Sequence, residues 1–150
     1  MIVIETASLA QLEVLTKMFE AYRKFYRKPP NPSGARQFLQ DRLNHEESII
    51  FIASSQGDYC GFTQLYPLFS STNLSRLFLL NDLYVAPDYR NRGVGKALIT
   101  AAKEHALAHN ANGLLLETEK TNAPGNHLYP LMGFQKDEDH HYYFWEAATV

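Results

Sequence analysis

Three basic side chains and two glycines crowd into one segment, DYRNRGVGKALI, at residues 88–99. They are Arg90, Arg92, Gly93, Gly95 and Lys96. An apolar periodic run follows, so the segment is expected to open a helix, where unpaired N–H groups and the helix dipole attract negative charge. Glycines let an anion approach that backbone without a Cβ in the way. The segment therefore predicts a binding site for a phosphate-bearing anion, and a diphosphate suits it well.

Two common phosphate-binding loops do not match this segment. A P-loop, G-x-x-x-x-G-K-[ST], would need a glycine in place of Arg90 and a magnesium-binding hydroxyl in place of Ala97. A dinucleotide loop, G-x-G-x-x-G/A, would need a small residue in place of Leu98. The remaining alternative is a strand–turn–helix in which the glycines serve the turn alone.

Composition and charge argue against several classes of protein. The 150 residues suit one domain with its own core, and 45% hydrophobic and 20% charged residues are typical of globular proteins. A net charge of −2 gives no reason to expect a nucleic-acid partner. The single cysteine, Cys60, cannot form an internal disulfide, which favours a reducing compartment such as the cytoplasm. We recognise no signal peptide and no apolar run near the ~20 residues of a membrane helix, so we expect no membrane partner.

Hydrophobic periodicity predicts the elements that position the segment. In chain order they are a strand at IVIE, a helix capped by Ser8 and Gln11 and running to Tyr26, a helix from Pro32 or Ser33, strands at 48–54, 59–68 and 76–85, a helix at 93–109, a strand at 114–118, a short helix around 124–131, and last strands at Gly133-Phe134 and HHYYFWEA. The helix at 93–109 makes its flanking strands parallel neighbours, because such crossovers join parallel strands. The sequence thus predicts a mixed α/β sheet.

Two motifs at a characteristic spacing resemble those of the GNAT acyltransferase superfamily. RNRGVG, beginning at Arg90, matches the pattern R/Q-x-x-G-x-G/A of that family's acetyl-CoA pyrophosphate loop. LLLETEKTNAPGNHLYPLMGF resembles its fifth strand and fourth helix, and the matching positions are Asn122, Leu128, Tyr129, Gly133 and Phe134. Gly125 and Pro130 depart from the family pattern, which has alanine and often glutamate there. The resemblance covers residues 48–146 well and the N-terminal helices loosely.

The resemblance implies a fold and an activity. The fold is a single N-acetyltransferase domain over residues 1–150, with a central, strongly twisted sheet, parallel and splayed fourth and fifth strands, and about four helices. The activity is transfer of an acetyl group from acetyl-CoA, without a metal, to a primary amine of a small molecule or of a protein lysine or N-terminus. The amine attacks directly in a ternary complex. Pairing of two domains is common in the family, and the segment YYFWEA is a candidate for it.

Acetyl transfer to an amine needs a base, because an amine of pKa ~10.4 is almost wholly protonated at neutral pH. Asp82 is the first candidate, since it lies mid-strand in a run too apolar to bury a charge without reason. Glu117, at the end of the parallel strand, is the second. For Asp82 the alternative is a structural carboxylate that caps a bulge or holds Arg76, and for Glu117 it is an ordinary strand-end charge. By resemblance, Tyr129 is the general acid for the departing thiolate, and packing of its ring is the alternative.

The resemblance also assigns contacts to the cofactor. Backbone N–H groups of Leu83 to Val85 are expected to bind the pantetheine arm and the acetyl carbonyl where the parallel strands separate. The full set is Leu83, Tyr84, Val85, Arg90, Asn91, Arg92, Gly93, Val94, Gly95, Lys96 and Asn122. Asn81 and Pro130 favour one alternative, a non-catalytic CoA-binding sensor or regulatory module. His105 and His109 are one helical turn apart, but the sequence offers no third metal ligand nearby, so His105 is predicted to be packed.

Overall fold

The computed structural model describes residues 1–148. Two compact units make up the chain, Met1–Glu117 and the residues from Thr118 onward. The strands are β1 (Ile2–Thr6), β2 (Ile49–Ser55), β3 (Asp58–Ser70), β4 (Ser75–Val85) and β5 (Ala111–Leu115). The helices are α1 (Leu12–Phe25), α2 (Pro32–Asn44), α3 (Val94–Ala108) and α4 (Ala123–Leu131), with short 3-10 turns at Leu9–Gln11 and Pro87–Tyr89.

The five strands form one sheet in the order β1-β2-β3-β4-β5. The first four are antiparallel neighbours, and β4 and β5 are parallel. The β2–β3 hairpin turns at Gln56 and Gly57, whose φ angles of 54° and 87° suit a tight left-handed turn. The predicted mixed α/β fold, with parallel fourth and fifth strands and four helices, is confirmed.

The helices of the first unit begin where the sequence supplies caps. Ser8 and Gln11 form the predicted capping box, in which Ser8 Oγ accepts from the Ala10 N–H and Gln11 Oε1 accepts from the Ser8 N–H at 2.8 Å. Asn31 caps α2, and Pro32 occupies its first turn. The helices bury apolar faces on the sheet, where the fully buried side chains include Leu15, Leu39, Ile52, Phe62, Leu98 and Ile99.

Three predicted strands differ from the structure. The strand expected at 114–118 occupies Ala111–Leu115, because Asn110 alone takes the left-handed conformation (φ 55°) that ends α3. The last strands, at Gly133-Phe134 and HHYYFWEA, are wrong for the described residues, which contain no strand after β5. Tyr142 to Trp145 are 77–87% exposed there, and high β-propensity does not form a strand without a partner. Pairing of two domains through this segment stays a prediction.

No helix within residues 1–148 combines the length and the apolar character needed to cross a bilayer.

Candidate active site

A β-bulge in β4 positions the first candidate base. Gln64 of β3 pairs with Asp82, whereas the next residue, Leu65, pairs with Leu80. Asn81 is therefore the extra residue on β4, and a bulge of this kind re-aims side chains next to it. Asn81 is exposed, while Asp82 is only 3% exposed. The bulge thus buries a carboxyl group directly beside a solvent-facing amide.

Both oxygens of Asp82 accept hydrogen bonds. Gln64 Nε2 donates to Oδ2 at 2.5 Å, and Asn81 Nδ2 donates to Oδ1 at 3.0 Å. Burial raises the pKa of the Asp82 carboxyl above its ordinary value, and the hydrogen bonds from Gln64, Asn81 and Tyr22 offset part of that rise. A carboxylate with a raised pKa is a stronger base than an exposed aspartate, which is the property that proton abstraction near neutral pH requires.

Tyrosines from α1 and β3 surround this carboxyl group. The Tyr22 hydroxyl donates to the Asn81 carbonyl at 3.2 Å and also interacts with Asp82. Burial, with the nearby charge of Asp82, raises the pKa of Tyr22 and of Tyr66, so both hydroxyls stay protonated near neutral pH. The Tyr26 ring packs edge-on against Tyr22, with centroids 5.0 Å apart. Tyr22 and Tyr66 thus place aromatic rings and protonated hydroxyl groups near Asp82.

Beyond Asp82, β4 continues without β5. The two parallel strands pair only from Arg76 to Leu79 on β4, so Leu83 to Val85 have β3 as their only strand partner among the described residues. At the rise of a strand, Val85 lies about 10 Å from Asp82. The predicted separation of the parallel strands is present at the residues expected to bind the pantetheine arm.

The segment that follows β4 has the features of an anion site. Arg90 Nε donates to the Val85 carbonyl at 2.9 Å, which ties the loop to the strand end. Gly93 precedes α3 in the left-handed conformation (φ 87°), and no side chain among residues 1–148 caps the helix N-terminus. A Cβ at Gly93 would meet only Ile2 Cδ1, at 3.9 Å, so the approach to this backbone is open. Arg92 and Lys96 are exposed beside it, and buried Val94 anchors the helix start. This donor set fits a diphosphate.

Glu117 lies outside this arrangement of β4. It is exposed and follows β5 by two residues, rather than ending the strand as predicted. The last paired residue before it, Leu115, pairs with Leu79 of β4. Glu117 therefore lacks the burial that distinguishes Asp82.

The second unit contains Asn122 and Tyr129. Asn122 caps α4: its Oδ1 accepts from the Gly125 N–H at 3.3 Å and its Nδ2 donates to Thr118 Oγ1 at 2.9 Å. Tyr129 is half-buried, and its ring packs edge-on against Phe134 with centroids 5.9 Å apart. Pro130 is the penultimate residue of α4, where the helix already ends. A Cβ at Gly125 would lie 2.5 Å from Asn122 Nδ2, so glycine at this position makes room for the cap.

The sequence predictions assigned no role to Gln64 or to Tyr22. Gln64 carries a detectable signal, since it and Thr63 are polar residues in the mostly apolar strand YCGFTQLYPL. His105 is packed as predicted. Its ring contacts Phe51 and Phe78 edge-on and stacks on the ring of His109, with the two centroids 4.0 Å apart. No group of three or more metal-ligating side chains occurs within residues 1–148.

One class of acetyltransferases has a five-stranded mixed sheet in which the two parallel strands separate beside a glycine- and arginine-rich helix start. Residues 15–134 match the family model described as "Acetyltransferase (GNAT) family". The chain belongs to this family, and it is an acyltransferase of the N-acetyltransferase class.

Individual relatives agree with this placement. The chain is 41% identical over 134 residues to a Bacillus subtilis (strain 168) protein named "Uncharacterized N-acetyltransferase YhfO", covering 89% of this chain and 90% of that one. It is 36% identical over 107 residues to a "Probable acetyltransferase" of Haemophilus influenzae, covering 71% and 73%. A solved structure described as "a probable acetyltransferase" superimposes with a TM-score of 0.92 at 34% identity, covering 99% of both chains.

Proposed function

We propose that the chain is an acetyl-CoA-dependent N-acetyltransferase that acts on a primary amine in a ternary complex. One observation carries the proposal. Along β4 and the loop that follows it, the chain places in order a buried carboxyl group at Asp82, a stretch at Leu83–Val85 that does not pair with β5, and the open helix start at Gly93. This order matches the three needs of the reaction: a base for the amine, donors for the acyl group and its arm, and an anion site for the diphosphate.

The donor half of the site rests on main-chain groups. We assign the pantetheine arm and the acetyl carbonyl to the backbone of Leu83, Tyr84 and Val85, and the pyrophosphate to the loop that begins at Arg90. The loop residues are Arg90, Asn91, Arg92, Gly93, Val94, Gly95 and Lys96. The left-handed Gly93 and the uncapped N-terminus of α3 support this assignment, because free N–H groups and the helix dipole bind phosphate oxygens. Asn122 is a further proposed contact.

Asp82 is the proposed base. An ammonium group must lose a proton before its nitrogen can attack, and a carboxylate with a raised pKa is suited to take that proton directly or through water. The new C–N bond forms as the C–S bond of the thioester breaks. Tyr129 is the proposed acid that returns a proton to the departing sulfur. Glu117 remains the second candidate for the base, and its exposure argues for a smaller part.

The acceptor is a primary amine of a small molecule or of a protein. We propose further that residues 1–150 act as one N-acetyltransferase domain without a metal. The location proposed for it is the cytoplasm, which the single cysteine favours.

Release of CoA thiol measures the activity directly. The chain would be incubated with acetyl-CoA and polyamines, amino acids, aminoglycosides or peptides that carry a free lysine or N-terminus. We expect turnover with at least one class. With the best amine, Asp82→Asn should lower kcat/KM by about 10²–10⁴-fold, the usual contribution of a general base, while acetyl-CoA affinity stays within about twofold. Glu117→Gln should lower kcat/KM much less than Asp82→Asn does.

Controls separate the parts of the proposal. Glu104→Gln, an exposed carboxylate on α3, should behave as the wild type. Tyr129→Phe should slow turnover tenfold or more, with partial recovery at higher pH. Acetyl-CoA binding without turnover on any amine would contradict the catalytic proposal and favour the CoA-binding sensor. A loss confined to Glu117→Gln would move the base to that residue.

A further inference from the structure

Gln64 places a hydrogen-bond donor inside the sheet, against the inner oxygen of Asp82. Its side chain has no exposed surface, it pairs with Asp82 across β3 and β4, and its Nε2 atom donates to Asp82 Oδ2. When Asp82 is ionised, only this orientation of the Gln64 amide forms a hydrogen bond with Oδ2. The reversed amide would place its own acceptor oxygen against the acceptor oxygen of the carboxylate. Gln64 therefore acts on one chosen oxygen of the carboxylate.

The other end of the same amide is unpaired. Gln64 Oε1 is buried and accepts no hydrogen bond from residues 1–148. An unpaired buried acceptor destabilises a fold, whereas methionine of similar size would fill the space without that cost. Packing alone therefore does not account for a glutamine at this position, and its bond to Asp82 does.

The outer oxygen of Asp82 has different surroundings. Oδ1 accepts from Asn81, whose side chain is exposed on the bulge, so this oxygen is linked through one hydrogen bond to an amide at the protein surface. From α1, Tyr22 fixes the bulge itself through its bond to the Asn81 carbonyl. The carboxyl group is thus held at Oδ2 from inside the sheet and contacts a surface amide at Oδ1.

We propose that Gln64 is a positioning residue for Asp82, which anchors Oδ2 and leaves Oδ1 as the oxygen that takes the proton from the amine. This inference rests on the proposed function. As the proton moves, an N–H bond of the ammonium breaks and an O–H bond forms at Oδ1. Oδ2 then becomes the carbonyl oxygen of the acid, which still accepts from Gln64 Nε2. The anchor therefore holds in both protonation states of the base.

The dependence of kcat/KM on pH tests this positioning role of Gln64. The titratable groups around Asp82 are Tyr22 from α1 and Tyr66 from β3, with Arg42 of α2 acting on Tyr66. The tyrosines stay protonated and the arginine stays charged over the range assayed, so they add no step there. The free amine contributes the same limb in every variant. A difference between variants on the acidic side of the profile therefore belongs to Asp82.

The test is Gln64→Met, which keeps the volume and removes the donor. Loss of a hydrogen bond to a carboxylate should raise the pKa of Asp82, moving the acidic limb of kcat/KM upward by about one to two pH units. The rate should recover toward the wild-type plateau at high pH. A ¹³C NMR titration of aspartate-labelled protein, with the Asp82 signal identified by its loss in Asp82→Asn, should show the same upward shift.

Two further variants keep the test decisive. Tyr22→Phe removes only a hydroxyl group, and it should raise the midpoint of the Asp82 titration by less than Gln64→Met does. Gln64→Glu keeps the side-chain shape and serves if Gln64→Met does not fold, because a second carboxyl group against Oδ2 must also raise the midpoint. Gln37→Met, at an exposed glutamine on α2, should leave the midpoint unchanged.

The outcomes separate this inference from the proposed function. Turnover with an unmoved Asp82 midpoint in the Gln64 variants overturns the positioning role and leaves the proposed function standing. A raised midpoint without turnover on any amine supports the anchoring of Oδ2 and contradicts the proposed function. A raised midpoint together with a raised acidic limb supports both.

Discussion

Gly61 offers a sharp test of how the sheet positions the site. It lies on β3 opposite Val85, the last residue of β4, and under the first turn of α3. A Cβ at this position would stand 2.7 Å from the Tyr84 carbonyl oxygen, 3.2 Å from Val94 Cγ1 and 3.3 Å from Leu98 Cδ1. Gly61→Ala therefore forces β4 or α3 outward at the residues assigned to acetyl-CoA.

The size of the effect follows from the shortest contact. Carbon and oxygen need about 3.3 Å or more, so relief requires a shift of roughly half an ångström in the Tyr84 backbone. Overpacking of this kind costs about 1–3 kcal/mol, which lowers Tm by about 3–10 °C in a chain of this length. The shift also moves the proposed donor groups of β4, and we expect acetyl-CoA affinity to fall about tenfold, since displacements near 1 Å at a site cost far more than their strain.

Gly113→Ala is the matched control, because it makes the same change in β5, where a Cβ would meet no atom within 4 Å. It should leave stability within about 0.5 kcal/mol and affinity unchanged. Thermal denaturation followed by circular dichroism and calorimetric titration with acetyl-CoA measure the two effects. If Gly61→Ala has the same Tm as Gly113→Ala and binds acetyl-CoA as tightly as the wild type does, the close packing at Gly61 has no bearing on the site.

Two further predictions concern Asp82 and Gly93. Burial raises the folded-state pKa of Asp82 above its unfolded value, so folding favours the protonated form; this favourable contribution is fully present at low pH and is lost as the pH rises through the folded pKa. Asp82→Asn should therefore raise the free energy of unfolding in urea at pH 8, with the gain shrinking toward pH 4, and a gain that does not depend on pH would contradict the assignment. Gly93→Ala strains a backbone at φ 87° and should cost about 1–2 kcal/mol in urea unfolding and weaken acetyl-CoA binding; equal binding would argue against the anion site.

Local signals account for what the sequence predicted well. Helix starts at Ser8 and Pro32 depend on caps and on proline geometry, which neighbouring residues determine. The left-handed turn at Gly93 that opens α3 likewise depends on a glycine within a short segment. Both kinds of feature are contained within a few positions of the chain, so the residue types alone predict them.

The errors arise where pairing decides the structure. The start of β5 depends on a single residue, Asn110, adopting a left-handed conformation that asparagine tolerates but does not require. The segment HHYYFWEA has the composition of a strand, yet a strand exists only where another strand accepts its hydrogen bonds. Composition alone therefore determined neither the residue at which β5 begins nor whether HHYYFWEA forms a strand.

The partner of Asp82 is undetermined by local sequence for a related reason. If the pairing of Leu65 with Leu80 continued without a bulge, Thr63 would stand opposite Asp82 and Gln64 opposite Asn81. The one extra residue on β4 instead brings Gln64 opposite Asp82, while the Thr63 hydroxyl bonds only to the Asp82 carbonyl, at 2.8 Å. An amide has the length and the N–H donor to hold the far oxygen of a carboxylate, and its placement there depends on a register shift between two strands. The bulge at Asn81 is therefore what joins a buried acid, the amide that holds its Oδ2 atom and the exposed amide that contacts its Oδ1 atom into one group.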